Sequence, residues 1–386
     1  MSTAQIQPVE ATIVHSQETD RAVGLDAITD RLKDQLELMD DRLVQGGDMV
    51  LDHGNVVLRN GTDTTLKPSR IFVEDLCQKL NMNQSFWTHL KQRHPEVLDY
   101  TVTELLKRNN DSYLIRTFRP EAGQEMGIAR CLKTPSYKII NNLDVIENLS
   151  KVFETFDKTR EVECISGDLT IEGMHLRFIF PKIMKHADSI LKHYRRPDDH
   201  KANNSIGIGF NLTNSEVGRY GLTMSAVARV LVCLNGMALN KVMRFRKKHT
   251  GKRQIGKIES MSGYDWAKIR YQMYADISSA STTDVLDDTV HLIEKHGLKP
   301  LQHPDSAIEA VCKELSYSEA ETKRVAEAFE TSQDHTRFGL IQALTFVCQS
   351  LSSHTQHETE TRALELLRTM NRFDKPAPAS RALVAA

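Results

Sequence analysis

The chain has 386 residues, of which 40% are hydrophobic and 26% are charged, and this composition excludes a wholly disordered or collagenous protein. The 50 basic and 51 acidic side chains nearly cancel, so the net charge of −1 identifies no partner. Six cysteines are too few for a disulfide scaffold, and no apolar run is long enough to span a membrane. The sequence starts without a recognisable signal peptide, and we therefore expect a soluble protein of a reducing compartment.

The N-terminal part is predicted to be a short tail followed by helices. Residues 1–24 are polar and aperiodic, which predicts a disordered tail. Residues 25–109 are predicted to be mainly helical, because apolar side chains recur at helical spacing over 25–44 and again after Pro68. The dipeptide Asn60-Gly61 lies between these stretches and is typical of a hairpin.

The centre of the chain, residues 110–275, is predicted to be an α+β core that includes the basic segment. Apolar and polar residues alternate over Thr170–Phe180, which predicts a strand, and several shorter apolar runs predict its neighbours in an antiparallel β-meander. Residues 183–194 are predicted to form a basic helix. The apolar positions from Val227 to Phe245 also fit a helical face.

The C-terminal part, residues 282–374, is predicted to be entirely helical, with Ser306 and Thr336 as helix N-caps. Residues 375–386 are rich in Pro and Ala and are predicted to be a second disordered tail. The fold class is thus α+β: an antiparallel β-meander core with packed helices, a helical N-terminal part and an all-helical C-terminal part.

Charge is distributed unevenly along the chain. Residues 182–270 hold 18 basic and 6 acidic side chains, a net of +12, whereas residues 276–365 hold 7 basic and 16 acidic side chains, a net of −9. The basic segment can meet an anionic partner. Alternatively, it can dock on the acidic segment of its own chain or of a neighbouring subunit, which would produce a homo-oligomer.

The densest basic cluster lies in residues 241–257, which contain eight Lys or Arg and no acidic residue, and aromatic residues follow it. Cations neutralise phosphates while aromatic faces stack on unpaired bases, so the pattern predicts binding of single-stranded nucleic acid. The alternative is a solvated helix end whose positive charge suits the helix dipole. The predicted binding residues are Lys241, Arg244, Arg246, Lys247, Lys248, Lys252, Arg253, Lys257, Tyr264 and Trp266.

Motifs for catalysis are missing from the sequence. It contains neither a phosphate-binding glycine loop nor a nucleophile elbow, and we interpret Gly207-Ile208-Gly209 as a strand at a close approach. The pair His354 and His357 is interpreted as part of a polar loop, since no third zinc ligand can be named. We expect no catalytic residue, no cofactor, no structural metal and no disulfide.

Four carboxylates near predicted hairpin turns offer an alternative, a metal-dependent nuclease that would hold Mg²⁺. Such side chains are much commoner on the wet face of an antiparallel sheet, which is the interpretation we prefer. The four residues are Glu161, Glu163, Asp168 and Glu172.

Three stretches carry a family resemblance over about residues 110–370. They are Gly127–Leu132 running on to Tyr137–Asn142, Val230–Gly236 followed by His249–Gly251, and Phe338–Thr345 followed by Glu365. In these stretches the chain resembles the phage- and plasmid-related family known only as domain of unknown function number nine hundred and thirty-two. The resemblance implies an α+β fold and a mobile genetic element in the cytoplasm of a bacterial host, and it supplies no catalytic residue.

The sequence therefore favours a non-enzymatic nucleic-acid-binding protein of a phage or plasmid, as a single-strand binding or annealing factor. Some annealing proteins of phages and plasmids have a comparable meander with a basic groove, which is an analogy of fold alone. The alternative is a protein-interaction, assembly or anti-defence protein of a mobile element, in which the basic segment docks on an acidic one.

Overall fold

The computed structural model describes residues 20–22, 24–59, 61, 63–109, 111–120, 123–156, 161–191, 205–230, 235–238, 246–250 and 258–376. The first third contains β1 (Asp20–Ala22), α1 (Leu25–Leu38), β2 (Arg42–Gln45), β3 (Met49–Asp52), β4 (Asn55–Leu58), β5 (Thr64–Pro68), α2 (Arg70–Lys79), α3 (Gln84–Arg93) and α4 (Pro95–Arg108).

The middle of the chain contains β6 (Ser112–Phe118), β7 (Gly127–Lys133), β8 (Lys138–Ile139), α5 (Asn142–Phe153), β9 (Glu163–Leu169), β10 (Met174–His186), α6 (Asp188–Leu191), β11 (Ser205–Asn214), β12 (Leu222–Val230), β13 (Asn235–Ala238), β14 (Arg246–Lys247) and β15 (Glu259–Ser260). The last part contains α7 (Gly263–Ala280), α8 (Thr283–Gly297), α9 (Pro304–Glu314), α10 (Glu319–Ser332), α11 (Arg337–Cys348) and α12 (Ser353–Thr369). The protein is thus a mixed α+β fold, as the sequence predicts.

The first sheet has the strand order β2-β6-β7-β5-β4-β3, in which β5 and β7 are parallel and the other neighbours are antiparallel. Helices α2, α3 and α4 pack against it and bury Phe72, Trp87 and Leu98 in one core with Ile115. The side-chain oxygen of Ser69 caps α2 by accepting a hydrogen bond from the N–H of Phe72.

The second sheet is an antiparallel meander that contains the later strands of the predicted one, with the order β1-β9-β10-β11-β12-β13 and with β14 also paired to β12. Strands β6 and β7, predicted for the same meander, belong to the first sheet instead. The alternation in β10 places Leu176 and Phe178 in the apolar core and Arg177 on the opposite face. At Gly209 a Cβ atom would lie 1.9 Å from the carbonyl oxygen of Phe178. The interpretation of Gly207–Gly209 as a strand at a close approach is therefore confirmed.

Helices α8 to α12 confirm the all-helical C-terminal part, and they share one hydrophobic core with the second sheet that extends from Ile28 to Phe373. Thr336 is the N-cap of α11, as predicted, since its hydroxyl accepts a hydrogen bond from the N–H of Gly339. Ser306 is not an N-cap, because α9 begins at Pro304, and proline fits the first turn of a helix. Among the helices of the described ranges, none is long and apolar enough to cross a membrane.

Two predictions for the N-terminal part are wrong. Strands β2 to β5 occupy much of residues 42–68, so the part predicted to be helical is a mixture of strands and helices. Residues 20–22 are not a tail, because β1 pairs with β9. The remaining tail residues, 1–19 and 377–386, lie outside the described residues.

Two helices predicted for the centre are wholly or partly replaced by strands. In residues 183–194, β10 continues to His186 beside β11, and α6 covers only Asp188–Leu191. In residues 227–245, β12 and β13 replace the predicted helical face, while 231–234 and 239–245 lie outside the described residues. Apolar runs suit a buried strand as well as a helix, and pairing in the meander decides between them.

Candidate nucleic-acid interface

The predicted binding residues fall into two groups. Those in the described ranges lie on and just after β14 and in α7: Arg246, Lys247, Lys248, Tyr264 and Trp266. The other predicted cations lie outside the described residues: Lys241, Arg244, Lys252, Arg253 and Lys257.

Arg246, Lys247 and Lys248, which we call the basic strand, form an edge of the second sheet. Lys247 pairs with Leu222 and Arg246 pairs with Thr223, and the ladder fixes the backbone at this edge. Arg246 and Lys248 are exposed, while Lys247 is half-buried. Within the part of the chain that the structure describes, no carboxylate forms an ion pair with these three side chains. Their charges therefore face solvent without a described acidic neighbour.

His249 anchors the end of the basic strand. Its ring stacks on Tyr137, with 5.1 Å between the ring centroids and 7° between the planes. Nδ1 of His249 lies 3.2 Å from the carbonyl oxygen of Lys138, and the N–H of Lys138 donates to the carbonyl of His249 at 3.3 Å. Burial lowers the pKa of His249 to about 4, so at neutral pH this imidazole is uncharged and acts as an anchor rather than as a cation.

Tyr137 in turn joins this anchor to a buried ionic junction between the two sheets, whose centre is Glu216. The hydroxyl of Tyr137 donates to the carbonyl oxygen of Glu216 at 3.0 Å. The Glu216 carboxylate lies 2.8 Å from Nη2 of Arg130, and Nη1 of Arg116 donates to the Glu216 carbonyl at 2.9 Å. Burial alone would raise the pKa of Glu216, but the charges of Arg130 and Arg116 outweigh burial and hold that pKa below its ordinary value.

Lys138 connects the basic strand to the start of α7. Strand β8 carries Lys138 and pairs in parallel with β15, immediately before α7. Nζ of Lys138 lies 2.7 Å from the carboxylate of Asp265, which also closes a capping box with Ser262. Hydrogen bonds from Lys138 and Ser262 lower the pKa of Asp265. The N-terminus of α7 is thus held beside the segment that contains His249.

Helix α7 presents an aromatic and basic face to solvent. Tyr264 is 73% exposed and Tyr271 is 75% exposed, and Lys268 lies between them on the same side of the helix. Nζ of Lys268 lies 5.5 Å from the ring centroid of Tyr264, which is within the range of a cation–π contact. We call these three residues the α7 face.

Trp266 requires a correction. Its side chain is only 8% exposed and packs in the core with Ile269 and Met273 on the opposite side of α7. A buried indole has no free face for a base, so Trp266 is a core residue. The aromatic side chains that could stack on bases are Tyr264, which the sequence predicts, and Tyr271, which it does not single out. The spacing of Tyr264, Lys268 and Tyr271 at i, i+4 and i+7 is the signal that identifies this face.

Part of the remaining positive charge is neutralised within the chain. Lys185 at the end of β10 lies 2.6 Å from Asp287 of α8, which joins the basic segment to the acidic one. Lys182 lies 3.4 Å from Glu161. Both pairs are exposed, so each contributes little to stability.

The four carboxylates considered for Mg²⁺ do not come together as one cluster. Asp168 is buried 2.7 Å from Arg177, and Glu172 lies 2.7 Å from Arg70, while Glu161 faces Lys182. Among the described residues, no group of three or more His, Cys, Asp and Glu side chains is arranged to hold a metal ion. The five cysteines in those ranges are free.

A second buried ionic cluster lies between the meander and α12. Arg177 contacts Asp168 on the sheet and lies 3.7 Å from Glu360 of α12. Nδ2 of Asn211 donates to Glu360 at 2.7 Å, and Arg229 donates to Asn211. The acids and bases of this cluster balance one another, and its place beneath α12 gives it a structural role.

Comparisons of the chain with profiles of known families, with curated proteins and with solved structures find no match. The family resemblance drawn from the sequence therefore stays a prediction.

Proposed function

We propose that this protein binds single-stranded nucleic acid of a phage or plasmid, in the cytoplasm of the bacterial host, through the α7 face and the basic strand. The observation that carries the proposal is the exposure of Tyr264 and Tyr271 on either side of Lys268. Two tyrosines this exposed contribute little to folding, whereas a ring in water is available to stack on an unpaired base.

The charges near this face support the same function. Arg246, Lys247 and Lys248 have no ionic partner among the described residues, and they are linked to α7 through Lys138 and strand β15. These side chains would displace the counterions that are condensed on the phosphates, which contributes binding energy that falls with salt. Single strands are favoured over duplexes because stacking on tyrosine requires unpaired bases.

The test compares two variants in titrations of a fluorescently labelled oligonucleotide. Tyr264→Ala with Tyr271→Ala removes the aromatic rings of the α7 face, and Tyr100→Ala removes an equally exposed tyrosine (71%) from α4. Each lost stacking contact should weaken binding about 5- to 150-fold, since stacking contributes about 1–3 kcal/mol per base. Tyr100→Ala should bind as the wild type does. Equal binding by the two variants, or wild-type protein that binds no oligonucleotide at low salt, would contradict the proposal.

The alternative is assembly of a homo-oligomer through the basic and acidic segments. The pair between Lys185 and Asp287 shows that the two segments meet within one chain, and an oligomer would form if two copies exchanged this contact. Reversing one charge, Asp287→Lys, should then dissociate the oligomer in sedimentation experiments. Under the nucleic-acid proposal the same variant keeps its affinity for the oligonucleotide.

A further inference from the structure

A cleft of about 380 Å³ opens between α5 and α7 beside the α7 face. It shares Tyr271 with that face, so the two surfaces are continuous. The residues that line it are Lys151, Val152, Thr155, Arg270, Tyr271 and Tyr274.

The cleft contains a cation whose position is fixed. Nη1 of Arg270 donates a hydrogen bond to Oδ1 of Asn148 at 2.6 Å. Asn148 is buried, and its own Nδ2 donates to the carbonyl oxygen of Asp144 at 2.7 Å, so the amide is held on both sides. No carboxylate of the described residues forms an ion pair with Arg270 or Lys151. Two cations without a described counter-charge in one cleft suit a phosphate group.

The same cleft also has an aromatic wall. The ring of Tyr274 stacks on Phe156, with 5.2 Å between centroids and 20° between planes, and this contact holds the ring in place. Tyr274 is nevertheless 41% exposed, so part of its ring faces the cleft together with Tyr271. Aromatic rings beside cations provide a surface for a base and a site for its phosphate within one cavity.

We propose that this cleft holds one nucleotide, with its base against Tyr274 and Tyr271 and its phosphate on Arg270 and Lys151. The inference rests on the proposed function, because the nucleotide is one unit of the strand that crosses the α7 face. A free nucleoside monophosphate has the same chemistry, and the experiment separates the two sources.

The experiment uses Arg270→Gln, which removes the charge but keeps a polar side chain, and Tyr274→Leu, which removes the ring but keeps an apolar one. Gln272→Ala is the matched control, because Gln272 is an exposed residue of the same helix whose amide donates to Asp276. Thermal unfolding is recorded for every variant, and Lys151→Gln replaces Arg270→Gln if the latter does not fold. Binding is measured for a labelled oligonucleotide, for a series of the same oligonucleotide with a single abasic site at each position, and for thymidine monophosphate.

We expect the wild type to lose about 5- to 150-fold in affinity when the abasic site occupies the register that fills the cleft, which is separate from the register that faces Tyr264, as expected for one lost stacking contact. This register dependence should disappear in Tyr274→Leu and should persist in Gln272→Ala. If both cleft variants bind every oligonucleotide as the control does, the cleft proposal is wrong while the proposed function stands. If the wild type binds thymidine monophosphate through Arg270 but binds no oligonucleotide, the proposed function fails and the cleft is a site for free nucleotides. If it binds neither probe, both proposals fail.

Discussion

The imidazole of His249 lies flat against the phenol ring of Tyr137, and this one stacked pair ties the basic strand to the junction between the two sheets. The pair contains a neutral histidine, since burial lowers the pKa of His249 from 6.5 to about 4. Between pH 6.5 and about 4, His249 takes up a proton in the unfolded chain but not in the folded chain. Stability from the neutral imidazole is therefore fully present above pH 6.5 and is lost as the pH falls towards 4.

His249→Phe should remove this pH dependence while keeping an aromatic ring against Tyr137. Between pH 6.5 and 4 the wild type should lose up to about 3 kcal/mol more stability than the variant, which urea unfolding at several pH values would measure. His53→Gln serves as the control, because the side chain of His53 is 90% exposed. If the free energy of unfolding falls equally with pH in the wild type and in His249→Phe, the imidazole of His249 is not buried in its neutral form.

Replacing the basic strand should change how binding responds to salt. Arg246→Ala with Lys247→Ala and Lys248→Ala removes up to three phosphate contacts, so the slope of log K against log salt should become shallower by up to about 2. The loss should be similar for all base sequences, because phosphate contacts carry no sequence information. The matched control replaces three exposed cations of the first sheet and of α3, namely Lys67, Lys91 and Arg93, and its slope should equal that of the wild type. An unchanged slope in the first variant would exclude the basic strand from the interface.

Trp266→Ala should act on folding. The indole is buried with Ile269 and Met273, so its removal leaves a cavity and should cost about 3–5 kcal/mol of stability in denaturant unfolding. The folded fraction should keep the oligonucleotide affinity and the salt slope of the wild type. Near-normal stability combined with weakened binding would instead restore a stacking role to Trp266.

Glu216→Gln should loosen the junction between the two sheets. The amide keeps its shape and can still accept from the N–H of Asn142, but the buried guanidinium of Arg130 loses its counter-charge. Breaking a buried pair in this way costs about 3–5 kcal/mol, which a lower midpoint of urea unfolding would report. Glu163→Gln, at an exposed position of β9, should leave the midpoint unchanged. Equal midpoints for the two variants would mean that Glu216 does not hold the sheets together.

Local patterns in the sequence account for much of the fold and for part of the site. Alternation over Met174–Phe180 is sufficient to predict a strand and the face that packs in the apolar core, whereas the first four residues of the predicted strand, 170–173, form the turn between β9 and β10. The helical period of α7 predicts that Tyr264 and Tyr271 share one face of the helix. It also predicts that Trp266 is buried, because Trp266 lies on the same side as the apolar residues Ile269 and Met273. Proximity to the basic cluster suggests a binding role for Trp266, but the helical period places it in the core, where the structure has it.

Contacts between distant residues have no such local signal. Arg130 meets Glu216 across 86 residues, and Arg270 meets Asn148 across 122 residues. No spacing in the sequence predicts either pair, because the partners meet only when the two sheets, or the helices α5 and α7, pack together. For the same reason the helical period of residues 227–245 is misleading, since β12 and β13 pair with each other and no local pattern indicates this pairing.

The cluster beneath α12 ties the central meander to a distant part of the chain. Asn211 and Arg177 lie on the central meander, but the carboxylate they share belongs to Glu360, which is 149 residues beyond Asn211. Removing α12 would take Glu360 away from this face and would leave the guanidinium of Arg177 with less opposite charge around it. A chain truncated before α12 should therefore expose a hydrated and more positively charged face of the sheet.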